Sequence, residues 1–179
     1  VYERELSDVP ASIDTYQKIL ELDPDDLQAL SRLDVLYEQA QNWTELLSVL
    51  TRESEMTGDA QEAISFQYRI ADLYEKRLDD VPRAIELYRE ILELSPGDVQ
   101  ASRALTSLYE RAGDHQQVSD LLREQYERSR SPTEQAAILK RLAELWHHDL
   151  EAPNEAIWAC ETLLERSPAD REALVRLQQ

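Results

Sequence analysis

Apolar residues along this chain recur at intervals of three and four. In VPRAIELYREILEL, Ala84, Ile85, Tyr88, Ile91 and Leu92 fall on one face of a helix. Pro82 lies in the first turn, where no backbone donor is lost, and Asp80 is placed to cap it. Pro96 ends the helix, because it crowds the preceding residue out of helical geometry. Asp98 is placed to cap the next helix, which runs through Ala101, Leu105, Leu108 and Tyr109 and stops at Gly113, a residue that tolerates the left-handed conformation. Ser131-Pro132-Thr133-Glu134 reads as a capping box, and Asp59 and Glu62 have the same spacing after Gly58. The predicted helices are 1–7, 10–22, 26–40, 42–56, 59–78, 81–94, 98–112, 114–130, 132–149, 152–166 and 169–179. No stretch alternates as a strand would, and no linker exceeds a few residues.

The pattern repeats. YERELSDVPASIDTYQKILELDPDD from Tyr2, YEKRLDDVPRAIELYREILELSPGD from Tyr74 and WHHDLEAPNEAIWACETLLERSPAD from Trp146 start 72 residues apart. Pro24, Pro96 and Pro168 keep that spacing, as do Asp26, Asp98 and Asp170. About half the positions from 2 to 40 are identical one period on, far above chance for unrelated helices. Tyr37 and Tyr109 divide the long period, so units of 35 and 37 residues alternate, each with two helices. The expected fold is all-α, an α-solenoid of about five two-helix units in one elongated domain spanning 1–179.

Charge narrows the partners. The net charge is −18, whereas phosphate backbones demand Lys and Arg. Nucleic acid and anionic membranes are therefore poor partners, and a basic or mixed-charge protein is favoured. No apolar run approaches a membrane span, so insertion is not expected. Cys160 is the only cysteine, so no disulfide forms within the chain. A cytoplasmic location fits that usage.

The residues resemble tetratricopeptide repeats along the whole chain. The second helix of that family carries Ala, an aromatic four on, a small or apolar residue three on, and Pro five on. Ala84, Tyr88, Ile91 and Pro96 match; Ser12, Tyr16, Ile19 and Pro24 match except for Ser; Ala156, Cys160, Leu163 and Pro168 match except for Cys. The first helix is matched more loosely by Leu30, Leu33, Asp34 and Tyr37, by Ser102, Leu105, Thr106 and Tyr109, and by Leu139, Leu142, Ala143 and Trp146. The 37-residue units depart from the family in lacking the closing Pro, and the turn at Leu78 to Pro82 is one residue longer than usual. The long–short pairing and acidic tone resemble multi-repeat bacterial proteins. The resemblance implies a right-handed superhelix that acts as a non-catalytic protein-interaction scaffold and uses no cofactor.

The chemistry-bearing residues point the same way. His147 and His148 are neighbours on a helix and point about 100° apart, so they do not share a tetrahedral metal site; Glu144 and His148 alone are too few ligands. No metal site and no catalytic residues are assigned. Cys160, in the place of a packing aromatic, reads as a buried thiol. His115 follows Gly113-Asp114 in an expected turn and is read as solvent-facing. Tyr2, Tyr37, Tyr74 and Tyr109 recur with the unit length and read as core. Half exposure is open to both Trp43 and Trp158.

In the resembled family the first helix of each unit lines the concave face. Carried over by register, the partner-binding positions are Ser31, Val35, Glu38, Tyr68, Asp72, Glu75, Arg103, Ser107, Glu110, Lys140, Glu144 and His147. Glu38, Glu75 and Glu110 fall at equivalent places and are expected to form an acidic rail presented to a protein or peptide; the competing reading is a solvated face that selects nothing. One subfamily clamps the C-terminal carboxylate of heat-shock chaperones with Lys-Asn-Lys-Arg. Val35, Asp72, Ser107 and Glu144 stand where its asparagines belong, which disfavours such a clamp, since acidic groups would face a carboxylate. Two further expectations concern the ends. By register Val1 follows one step after Gln179, so the chain reads as a slice of a longer array or as a unit that packs end to end with its copies. A recruiting arm of a larger enzyme or secretion protein, and a self-associating spacer, are the alternative functions.

Overall fold

A computed structural model describes residues 8–166. The helices are α1 (Val9–Leu22), α2 (Leu27–Gln39), α3 (Trp43–Met56), α4 (Ala60–Lys76), α5 (Val81–Leu94), α6 (Val99–Ala112), α7 (His115–Arg128), α8 (Pro132–His148) and α9 (Pro153–Arg166). Their bounds fall within two residues of the expected ones. The helices expected at 1–7 and 169–179 lie outside the described residues. Among the described residues there is no strand, and no helix is long and apolar enough to cross a membrane.

Side chains set the helix starts. Asp80 Oδ1 accepts from the Arg83 N–H at 3.3 Å, and Asp98 Oδ1 from Gln100 and Ala101 at 2.9 and 3.0 Å. Asp8, Asp26 and Asp114 cap α1, α2 and α7 in the same way. The two capping boxes differ from expectation. Asp59 and Ser131 do accept the N–H of Glu62 and Glu134. The glutamates, however, do not reach back to the cap's own N–H. Each binds a hydroxyl two residues before the cap, Thr57 or Ser129, and that hydroxyl accepts the cap N–H at 3.3 or 3.2 Å. The hydroxyl is a relay inserted into the box, repeated 72 residues apart.

The turns inside each two-helix unit are also shared. The Asn42 N–H donates to the Tyr37 carbonyl and the Asp114 N–H to the Tyr109 carbonyl, both at 2.9 Å. The residue between helix and donor is left-handed in both copies: Gln41 at φ 55° and Gly113 at φ 70°. This is the Schellman arrangement, which satisfies carbonyls left open at a helix end. Asp79 and Glu151, also 72 apart, take positive φ in the longer turns after α4 and α8.

The helices group into two compact units divided between Pro96 and Gly97. In the first, α1 to α5 pack each on the next in chain order. Leu30, Leu33, Tyr37, Leu46, Leu50 and Ile70 form its core. In the second, α6 to α9 pack in the same serial way, around Leu105, Leu108, Leu122, Leu139 and Leu142. No hairpin buries its apolar face alone; its neighbours cover it, and at about 1.5–3 kcal/mol per buried leucine that covering holds each unit together. Tyr37 and Tyr109 are buried and Tyr74 is half-buried, whereas Tyr2 lies outside the described residues. The architecture is an all-α helical-repeat solenoid.

Candidate functional site

The twelve positions carried over by register lie on α2, α4, α6 and α8, the first helix of each hairpin. Ser31, Val35 and Glu38 on α2 are exposed, as are Arg103, Ser107 and Glu110 on α6 and Glu144 and His147 on α8. Tyr68, Asp72 and Glu75 on α4 and Lys140 on α8 are half-buried. Those on α4 are drawn against α5: the Tyr68 ring lies 6.1 Å from that of Tyr88. Burial first, and then the charges of Glu75 and Asp72, push the Tyr88 hydroxyl up to about 12.

The acids of the expected rail have cationic neighbours. Glu38 lies 3.5 Å from Arg69 of α4, and Glu110 pairs with Arg141 of α8. Both the acids and the arginines are 72 residues apart, so the pairing is part of the repeat. Asp72 pairs with Lys76 one turn along its own helix. Each unit therefore shows both signs of charge on its first helices.

Register alone missed the polar cluster beneath Glu38. Arg69 forks onto Asp34 through two hydrogen bonds of 2.6 Å, and Asp34 is buried on the apolar side of α2. Glu53 of α3 is buried beside them. Burial, then the charge of Asp34, pushes its carboxyl up to about 7; Arg69 opposes the shift and Glu62 adds to it. One period on, the same places hold Thr106, Gln125 and Arg141. A carboxylate next to Leu33 in an apolar stripe, where the next copy has Thr, was the available signal.

His115 differs from its expected turn. Asp114 caps α7, so His115 is its first residue, half-buried with Nδ1 4.0 Å from Asp149 Oδ2. His147 and His148 are exposed, ring centroids 4.6 Å apart. Among the described residues no three His, Cys, Asp or Glu side chains gather as a metal-ligand set. Cys160 is buried, as a small packing residue would be.

Serially packed helix pairs with short, side-chain-capped turns, found within each of the two units, define a helical-repeat fold. Two tetratricopeptide-repeat profiles match the chain, over residues 29–64 and 65–98, one two-helix unit each. Residues 29–98 of the chain are therefore tetratricopeptide repeats. Among solved structures the chain is similar to YrrB, described as a TPR protein with an unusual peptide-binding site: 14% identity over 97% of this chain and 86% of that one, TM-score 0.50. It is similar also to MamA, with 16% identity over 93% of this chain and 86% of that one, TM-score 0.50. At these identities the likeness is one of fold. The comparison with curated proteins gives no match.

Proposed function

We propose that this protein is a non-catalytic scaffold whose first-helix faces bind a basic or mixed-charge segment of a partner protein. Tetratricopeptide repeats generally mediate protein–protein interaction and typically scaffold rather than catalyse. The observation that carries the finer reading is the repeated pairing of Glu38 with Arg69 and of Glu110 with Arg141. It leaves an ordered alternation of carboxylate and guanidinium along the first helices. Against a net charge of −18, a segment with surplus cations is steered inward and an anionic one repelled.

The test is a selection of random twelve-residue segments on the wild-type chain. The recovered segments are then rebound to a Glu38→Lys, Glu75→Lys, Glu110→Lys variant of matching helicity. They are expected to carry net positive or mixed charge and to lose about tenfold or more in affinity. Equal binding to both proteins would remove these faces as the site.

A further inference from the structure

The hairpins of this chain serve as each other's controls. Position 158 of α9 corresponds to Asp14 of α1 and Glu86 of α5. Both are exposed carboxylates, and Asp14 stays exposed with its following helix α2 in place. The repeat therefore asks nothing apolar of this position. In α9 it holds Trp158, 45% exposed. Tyr126 is out of pattern too, standing where the preceding copy has Ser54. The Trp158 ring centroid lies 6.1 Å from those of Tyr126 and Trp146, at 84° and 63°.

Beside this cluster is a cleft of about 430 Å³ lined by Arg123 of α7, Trp146 of α8, and Asn154, Glu155 and Trp158 of α9. None of the twelve first-helix positions lines it. The Trp146 indole N–H already donates to Ser119 Oγ at 2.8 Å. Among the described residues, Arg123 and Glu155 have no ion pair and the Asn154 side chain no hydrogen-bond partner. Glu155 precedes Trp158 by one helical turn and shares its face.

The chain itself shows what such an indole takes. In the first unit the Arg77 guanidinium carbon sits 4.8 Å from the ring centroid of Trp43. Among the described residues Trp158 has no such cation. It offers a ring face, a carboxylate one turn away and a strongly acidic chain around both, a setting that attracts a cation.

We infer that this cleft is a second binding site, for a single Arg or Lys side chain of a partner polypeptide. The cation lies over Trp158 and pairs with Glu155. The Asn154 amide and the Arg123 guanidinium donate to main-chain carbonyls of the same segment. Arg123 also disfavours a run of cations, so the site selects one basic residue flanked by uncharged ones. This inference does not rest on the first-helix faces.

Tryptophan indole N–H signals of the ¹⁵N-labelled chain give the test, with the Trp158 signal assigned through Trp158→Phe. The probe is the capped peptide Ser-Gly-Arg-Gly-Ser, with citrulline and Glu versions as controls. The Trp158 signal is expected to move saturably with the Arg peptide and with neither control, while the Trp43 signal, in the first unit, stays. Glu155→Gln should weaken binding about three- to tenfold. Trp158→Glu, which restores the acidic residue type of the other copies, should keep the helicity and abolish binding. An unmoved Trp158 signal, equal movement with citrulline, or indifference to Glu155→Gln would each overturn the proposal. The first-helix charge reversal touches none of these residues, so the two proposals fail separately.

Discussion

Glu53 is a carboxylate that the fold holds away from water. Its Oε2 has no hydrogen-bond partner among the described residues. Because its pKa is raised from 4.5 to about 7, the folded chain keeps a proton that the unfolded chain releases between those values. Stability from this group is therefore full below about pH 4.5, falls as the pH rises to about 7, and stays low above it. The loss is on the order of 2 kcal/mol once screening by adjacent solvent is allowed for. Glu53→Gln copies the neutral residue at the matching place, where Gln125 donates to Ser102. Urea unfolding over a pH series should show the variant more stable at pH 8, by about that amount, and without the slope between pH 4.5 and 7. A slope left intact would place its origin elsewhere. Little of this was legible from the chain. Periodicity says which residues turn inward, but not that Asp34, Glu53 and Arg69, from three different helices, turn toward each other.

Helices and turns were more legible, because their causes are local. Asp80, Asp98 and Ser131 cap where the spacing placed them, and Pro96 follows the end of α5. The relay hydroxyls of Thr57 and Ser129 were not legible, since the capping-box motif takes no account of what precedes the cap. The left-handed turn residue was foreseen only at Gly113. At Gln41 the same backbone carries a side chain, at a cost of about 1 kcal/mol for an L-residue at positive φ. Gln41→Gly should raise stability by roughly 0.5–1 kcal/mol, read as a higher melting temperature. The reverse change, Gly113→Gln, should lower it similarly. A Cβ at Gly113 would meet nothing within 4 Å, so backbone strain alone acts there. Unchanged melting in both variants would mean that the turn absorbs the strain at no cost.

At the scale of the molecule, the fold followed from one number, the 72-residue period, because stacking identical hairpins leaves few other ways to bury their faces. The binding surface did not follow from it. Register places side chains such as Glu38 and Glu110 on an open face, but their partners Arg69 and Arg141 come from the next hairpin. Serial packing also makes stability local. Leu50, fully buried in the first unit, should cost about 2–5 kcal/mol when cut to Ala. Amide hydrogen exchange should show the loss over α2 to α4, with α7 to α9 nearly unchanged. Uniform loss of protection across both units would instead show the chain unfolding as one cooperative body.

The paired turns after Tyr37 and Tyr109 bear on how such a chain changes length. Both tyrosine carbonyls accept the N–H five residues on, at the same distance and across the same left-handed residue. A coding block that starts after the first tyrosine and stops at the second can be lost or copied by recombination. The new joint then reads as a turn the chain already makes. Growth and shortening in 72-residue steps ask for no new junction chemistry, whereas a step that is not a whole number of two-helix units breaks the register of caps, turns and buried faces at once.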